Sequence, residues 1–199
     1  MNGNKKDKKS ESSADIPEKI KIINLVIGIT ATIISFLIIF KPSTGIDIET
    51  LLNQTSLPLF IISLGMMITS LFDENLRNLV RGVLFFLGLV IAVLCVLIFL
   101  FRVFTPQFFI MAIILLFIVH GTVKIIRGIM GKRKDIRMSS LRRVFFIKIG
   151  ILTVLLALLA LSLLIDISPF LAILFILITV ILNEIGDVIL IVGEKMNYP

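Results

Sequence analysis

The 199-residue sequence contains one cysteine, one histidine and no tryptophan. The single thiol, Cys95, excludes an intrachain disulfide and any metal site built from several cysteines. No phosphate-binding loop, dinucleotide-binding fingerprint, zinc-ligand spacing or serine–histidine–aspartate set occurs in the sequence. We therefore expect no catalytic residues, no cofactor and no metal site, and we predict that the protein is not an enzyme.

Charged residues are also scarce, at 17% of the chain, whereas hydrophobic residues make up 58%. Typical soluble domains contain roughly 45–50% apolar residues, even when glycine is counted. With a mean hydropathy of +1.11, the chain has too little polar surface to cover a water-soluble core. These values predict an integral membrane protein. The net charge of +7 then reflects orientation in the bilayer rather than binding to nucleic acid.

Six apolar runs follow a polar N-terminal segment. Residues 1–19 are rich in lysine and serine and are expected to form a disordered, basic cytoplasmic tail. Residues 20–199 are expected to form one transmembrane domain, because about 20 apolar residues cross a hydrocarbon core of roughly 30 Å. The predicted helices lie at about 20–40, 55–72, 81–101, 106–127, 143–165 and 169–193. No run alternates apolar and polar residues, so the predicted fold class is all-α rather than a β-barrel.

The basic residues are unevenly distributed between the two sides of the predicted membrane domain. The N-terminal segment, the 2–3 and 4–5 loops and the C-terminus together carry 18 of the 20 Lys and Arg residues. This bias predicts that both termini of the multi-pass protein lie in the cytoplasm. The basic 4–5 segment, from Lys124 to Arg143, is interpreted either as a topology signal or as a contact for anionic lipid headgroups or a partner.

The odd-numbered helices share a repeated spacing. A basic residue, a glycine and a small residue lie seven apart at Lys21–Gly28–Ser35, Arg81–Gly88–Cys95 and Arg143–Gly150–Ala157. Prolines follow at Pro42, Pro106 and Pro169, and the even helices carry Gly65, Gly121 and Gly186 in comparable places. Seven residues are two helical turns, so the small residues share a face on which helices can pack closely or line a pathway. The pattern predicts three repeated helical hairpins of about 60 residues, with the basic residues as interfacial anchors.

This arrangement resembles the HdeD-like family of short-repeat prokaryotic membrane proteins with six predicted helices. The resemblance rests on the basic start, mid-helix glycine, outer proline and return-helix glycine of each hairpin, and it covers roughly residues 19–193. It implies a non-enzymatic membrane protein connected with acid resistance or stress response, without known catalytic residues. The chain departs from the pattern in a longer first outer loop, residues 41–56, and in a missing second glycine in the first hairpin.

A few polar residues interrupt helices 4 and 6, and such residues are candidates for function in a membrane protein. They are His120, Lys124, Asn183, Glu184 and Asp187. Glu184 and Asp187, three residues apart, are expected to face nearly the same direction, with Gly186 allowing another helix to approach. The set is interpreted either as a proton or cation relay or as an interhelical pair that joins Lys124 or His120 to one of the carboxylates.

One sequence comparison bears on this polar set. In the alignment of the hairpins, Val119 and Thr122 fall opposite Glu184 and Asp187, so the set is not expected to belong to the repeat. Two functions therefore remain open: a non-enzymatic protein that acts by assembly, as a homo-oligomer or with another membrane protein, and a small proton- or cation-linked transporter. Separately, Asn53 begins a glycosylation sequon in the first outer loop, and its modification is left open.

Overall fold

A computed structural model describes residues 7–40, 47–72, 78–101, 106–130 and 140–196, with side chains in 19–40, 47–72, 78–100, 106–130 and 142–192. Six helices make up this part of the chain: α1 (Asp7–Phe40), α2 (Ile48–Phe72), α3 (Asn78–Phe101), α4 (Pro106–Met130), α5 (Ser140–Asp166) and α6 (Pro169–Met196). All six are long and apolar enough to cross a membrane. The all-α class with six candidate transmembrane helices is therefore confirmed.

The N-terminal boundary differs from the prediction. Residues 7–18, which the sequence assigned to a disordered tail, form the start of α1. A helix that is already formed adds further residues without a new nucleation step, so a polar segment can continue a membrane helix. Within the described side chains, the candidate membrane span of α1 is Lys19–Phe40, beside the predicted 20–40.

Helix α2 also starts earlier than predicted, at Ile48 rather than at 55. The Asp47 carboxylate accepts a hydrogen bond of 2.6 Å from the backbone N–H of Thr50, which caps the first turn. The predicted long outer loop is therefore shortened. The sequon residue Asn53 lies within a helix rather than in the loop expected of a glycosylated site.

Pro58 lies inside α2, where it removes one backbone donor and crowds the preceding turn. Two hydroxyl groups on the turn before it bond to their own helix. Ser56 donates to the carbonyl of Asn53 at 2.6 Å, and Thr55 donates to the carbonyl of Leu51 at 2.8 Å. These bonds satisfy both side-chain donors within an apolar environment, and the helix continues through Pro58.

The even-numbered helices form the centre of the bundle. Each pair among α2, α4 and α6 is in contact, whereas no two odd-numbered helices touch within the described ranges. In the most apolar 18 residues of each even helix 44% of residues are buried, against 17–33% in the odd helices. We therefore call α2, α4 and α6 the inner helices and α1, α3 and α5 the outer helices.

The closest approach between an inner and an outer helix occurs between α4 and α5. A methyl group added at Gly150 would lie 2.6 Å from the carbonyl oxygen of Gly121 and 2.9 Å from the backbone nitrogen of Ile125. Further toward the 4–5 loop, a methyl group at Gly128 would lie 2.8 Å from the carbonyl oxygen of Arg143. No residue larger than glycine fits at these positions without moving a backbone, so the glycines set the distance between the helices.

The other two outer helices approach an inner helix through the same repeated glycine. A methyl group at Gly88 would lie 2.8 Å from the carbonyl oxygen of Ser63 and 2.9 Å from Cγ of Met67 on α2. At Gly28 it would lie 3.0 Å from Oε2 and 3.7 Å from the carbonyl oxygen of Glu184 on α6. Three contacts therefore occupy equivalent positions in the bundle. They join an outer-helix glycine to an inner-helix residue: Gly88 to Ser63, Gly150 to Gly121 and Gly28 to Glu184.

Two of the repeated basic residues bind the end of the preceding helix. Arg81 donates to the carbonyl oxygens of Ser70 at 2.8 Å and Leu71 at 2.6 Å, and Arg143 donates to that of Gly128 at 3.3 Å. The last carbonyls of a helix have no partner within it, so these guanidinium groups satisfy them. Ser70 lies seven residues after Ser63, and Gly128 lies seven residues after Gly121. Both arginines therefore bind at equivalent positions relative to the glycine contacts.

The packing does not divide the bundle into three equal hairpins. Among consecutive helices, α2–α3 and α4–α5 pack most extensively, whereas α3 and α4, which form the second predicted hairpin, pack least. Helices α3 and α5 pack most extensively against the inner helix before them, and α1 packs about equally against α6 and α2. The repeat is thus expressed as three similar outer-to-inner contacts, while the arrangement as hairpins is not confirmed.

The glycine contacts predict a contrast between two Gly→Ala variants. Gly150→Ala should destabilise the protein by about 1–3 kcal/mol, because the new methyl group meets the backbone of α4. Gly82→Ala is the matched control, since no atom lies within 4 Å of its added methyl group. Thermal unfolding of the purified variants in detergent measures the difference. Equal melting temperatures would contradict the packing role of Gly150.

Candidate functional site

A buried ion pair joins α4 to α6. Lys124 Nζ lies 2.9 Å from Asp187 Oδ2, and it also donates to Asn183 Oδ1 at 3.0 Å. The side chain of Lys124 is 7% exposed and that of Asp187 is 38% exposed. Because the amide oxygen of Asn183 and the carboxylate both accept from one ammonium, the positive charge is compensated inside the bundle.

Helix α5 completes this network through Thr153, which lies three residues after the packing glycine Gly150. The Thr153 hydroxyl lies 3.0 Å from Asn183 Oδ1 and 2.8 Å from the carbonyl of Ile149, so its single proton is shared between two acceptors. Asn183 Nδ2 in turn donates to the carbonyl of Thr179 at 2.9 Å. A threonine within an aliphatic stripe was the available sequence signal for this contact. We call Lys124, Thr153, Asn183 and Asp187 the polar network.

Glu184 does not join the polar network. Its Oε2 atom lies against α1, at 3.0 Å from the position of a Cβ atom on Gly28. Within the described residues its carboxylate takes part in no hydrogen bond or ion pair. The sequence placed Glu184 and Asp187 on nearly one face. Three residues rotate the helix by about 300°, and the remaining 60° is enough to turn the two carboxylates toward different neighbours.

His120 lies on the same buried stripe as Lys124, one turn toward the opposite end of α4. It is 8% exposed, and its Nδ1 atom is buried with no hydrogen-bond partner among the described residues. Neither Glu184 nor Asp187 binds it in this structure. The structure therefore forms the predicted interhelical pair through Lys124 and Asp187 and leaves His120 outside it.

The packing register changes how the polar residues relate to the repeat. Counting from the glycine contacts, His120 and Lys124 on α4 correspond to Asn183 and Asp187 on α6. The equivalent positions on α2 are Ile62 and Met66, which are both buried. The sequence alignment that placed Val119 and Thr122 opposite the carboxylates was shifted by two residues. Polar residues therefore occupy equivalent levels on two of the three inner helices.

The remaining predicted packing glycine, Gly186, lies against α5. A methyl group there would overlap Cδ1 of Ile149 and would lie 3.6 Å from the ring of Phe145. Ile149 is also the residue whose carbonyl faces the Thr153 hydroxyl. Close packing at Gly186 thus positions α5 so that Thr153 reaches the polar network.

Apolar side chains fill the part of α4 and α6 that lies beyond the polar network, on the side away from the 4–5 loop. Moving away from the 4–5 loop end, α4 presents Ile114 and Ile110 and α6 presents Leu177 and Ile173, all 0% exposed. Of the buried hydroxyls in that half, those of Thr55 and Ser56 on α2 and Thr179 on α6 donate to carbonyls of their own helices. Those of Thr32 and Ser35 on α1 have no hydrogen-bond partner among the described residues. On α4 and α6, the polar network therefore ends against packed apolar side chains.

The ion pair predicts a specific pattern of stability in a double-mutant cycle. Lys124→Met should cost about 2 kcal/mol, below the roughly 3–5 kcal/mol of a fully buried pair, because the Asp187 side chain is only partly buried. Asp187→Leu should be similarly destabilising because it leaves the Lys124 charge without its carboxylate. The double variant should be more stable than the sum of the single losses predicts.

Unfolding free energies of these variants in mixed micelles test the cycle. Lys148→Met is a suitable control, because Lys148 is exposed on α5 and the change should stay within about 0.5 kcal/mol. Strict additivity of the two single effects would show that Lys124 and Asp187 do not interact.

These contacts define a buried polar site between α4, α5 and α6. In the described part of the chain no group of three or more His, Cys, Asp or Glu residues is placed to hold a metal ion. Comparison of the chain with family models, with curated proteins and with solved structures finds no match. The structural conclusion is therefore a bundle of six candidate transmembrane helices with a buried ionic contact between two inner helices.

Proposed function

We propose that the protein is a non-enzymatic, multi-pass protein of the cell membrane, of the HdeD-like type. In this proposal it serves a stress or acid response through assembly in the bilayer or through contact with another membrane protein. The observation that carries the proposal is the packed apolar core that α4 and α6 form beyond the polar network, because a transport path between these helices requires polar or hydrated groups on both sides of a site. The pairing of Lys124 with Asp187 gives the central charges a structural role.

Both termini are placed in the cytoplasm in this proposal. The support is the concentration of 18 of the 20 Lys and Arg residues on one side. The contacts of Arg81 and Arg143 with helix ends put two of these residues at the same end of the bundle. The polar network then lies nearer the cytoplasm, with Lys124 about 9 Å from the end of α4.

The loosely packed side of α3 and α4 is the surface that we assign to assembly with a second copy. The equivalent pairs α1–α2 and α5–α6 pack more extensively. Among the described helices, α3 and α4 are therefore the hairpin pair with the least covered contact surface. Exposed apolar residues line α4 beside it, including Val119, one turn from the Val123 side chain that packs against α3. In lipid, close packing of helices rather than hydrophobicity drives association, so an open seam favours a further helix contact.

Cysteine cross-linking in membranes tests this assembly. In a Cys95→Ala background, Val119→Cys should form a covalent dimer with a short bifunctional maleimide. Leu152→Cys is the control, since Leu152 is similarly exposed on α5, 41% against 45%, at a similar depth. Dimer at Leu152→Cys but not at Val119→Cys would place any self-contact elsewhere. Absence of dimer for both variants would remove self-association and leave only contact with another protein.

A small proton- or cation-linked transporter is the second candidate function, and Glu184 favours it. This carboxylate lies within a membrane span, has no hydrogen-bond partner among the described residues, and sits at the α1–α6 contact. His120 adds a second group that can exchange protons, at an overlapping depth. Intramembrane groups of this kind are typical of proton and cation transporters.

Flux measurements in liposomes separate the two candidates. At pH 5 and at pH 7, we expect proton and monovalent-cation flux through the purified protein to equal that of empty liposomes. Flux that Glu184→Gln abolishes, and that Glu49→Gln at the exposed start of α2 leaves unchanged, would establish the transporter instead. Equal flux in all samples at both pH values would exclude an ungated path for these ions.

A further inference from the structure

Two arginines converge on one aromatic ring where α4 ends and α5 begins. The guanidinium carbon of Arg127 lies 4.7 Å from the centroid of the Phe146 ring, and that of Arg142 lies 5.7 Å from it. Phe146 itself is 5% exposed, so the ring is fixed by packing. Cations over an aromatic face are attracted by its quadrupole, which holds both charged groups at one place.

The helix ends that carry these arginines are locked together. Gly128 brings α4 against the carbonyl of Arg143, and the Arg143 side chain donates to the carbonyl of Gly128. Arg127 and Arg142 are the residues next to this contact on each helix. Their relative position therefore follows from a packed junction rather than from a single flexible side chain. We call Arg127, Arg142 and Phe146 the arginine corner.

The repeat shows that packing does not require the arginine corner. In the register fixed by the glycines, Arg81 on α3 corresponds to Arg143, and both bind the carbonyl end of the preceding helix. The residues at the positions of Arg127, Arg142 and Phe146 are Thr69, Val80 and Leu84 in the α2–α3 corner and Leu190, Ile20 and Asn24 in the α6–α1 corner. Two corners thus form with neutral residues, so the paired arginines are an addition to the shared scaffold.

The depth and charge of the arginine corner match a lipid headgroup. Arg127 lies about 4.5 Å from the end of α4, at the level where a helix leaves the hydrocarbon core. Arg143 and Lys148 add further positive charge on α5. Asp187, a carboxylate of α6 at the same end, is bound to Lys124 in the polar network. Among the described residues, positive side chains therefore outnumber negative ones at this end of α4 and α5.

We propose that the arginine corner binds the phosphate of an anionic phospholipid in the adjacent leaflet. Guanidinium groups present forked donors that match phosphate oxygens, and two guanidinium groups on one ring can hold a single phosphate from two directions. The acyl chains then lie along the exposed apolar residues of α4 and α5, such as Ile126 and Leu152. Basic pockets between helices at a charged membrane surface bind headgroups in this way.

Short-chain lipids in detergent allow a direct binding test. Dioctanoyl phosphatidylglycerol is titrated into the purified full chain, and the rise in melting temperature is followed against concentration. We expect a saturable rise for the unaltered protein and none for dioctanoyl phosphatidylcholine. The double variant Arg127→Gln/Arg142→Gln should need about tenfold more phosphatidylglycerol for half of the rise.

Matched variants distinguish lipid binding at the arginine corner from general electrostatic attraction. Lys148→Gln removes one nearby positive charge and should leave the half-saturation concentration within about twofold. A loss equal to that of the double variant would overturn the proposal in favour of diffuse electrostatic attraction. Should the double variant fail to fold, Phe146→Leu, which copies the residue found at this place in α3, keeps both charges and should weaken binding by about threefold.

A titration with inorganic phosphate distinguishes a lipid headgroup from a free phosphate ion. Inorganic phosphate at the same concentrations should not raise the melting temperature, because it lacks the acyl chains that lie along α4 and α5. An equal rise with inorganic phosphate would replace the lipid with a free anion and overturn the proposal. The cross-linking and flux results do not depend on this site, so its failure would leave the proposed function intact.

Discussion

Close backbone contact between an outer and an inner helix is the constraint on which the rest of this structure depends. Apolar side chains gain little by leaving lipid, so helices in a bilayer are held together by packing at short range and by polar contacts. Gly150 and Gly121 provide the shortest such approach, and Gly88 and Gly28 repeat it on the other outer helices. Because these contacts fix the axial position of each outer helix relative to its inner partner, they determine which side chains lie at the same depth in the membrane.

Once that register is fixed, the three repeats can be compared position by position. All three share the packing glycine of the outer helix, and two of them share an arginine that binds the end of the preceding helix. What differs is chemistry. The polar network occupies α4 and α6 where α2 has Ile62 and Met66, and the arginine corner occurs at one of three equivalent junctions. The departures from the repeat are therefore the places where function is to be sought.

The sequence predicted the number and class of the helices because length and apolarity alone determine whether a helix can cross a membrane. It also predicted the outer-helix glycines, since a spacing of seven returns to the same face. The inner-helix register was shifted by two residues, because Gly65 and Gly186 were taken as equivalents of Gly121 whereas the structure places Ser63 and Glu184 there. That single shift concealed the correspondence between the polar residues of α4 and α6. The early start of α2 was not predicted, because its signal is the capping residue Asp47, and hydropathy does not detect helix caps.

The two departures from the repeat meet on α4. Lys124 and Arg127 lie one turn apart, about 4.5 Å along the helix axis, so the buried ion pair and the interfacial arginine corner are electrostatic neighbours. Charges at this separation interact more strongly inside a bundle than in water, because the surrounding dielectric constant is lower. A phosphate held at Arg127 offsets positive charge beside Lys124, and the Lys124–Asp187 pair in turn holds α4 against α6. The headgroup outside the bundle and the ionic contact within it are thereby connected through one turn of a single helix.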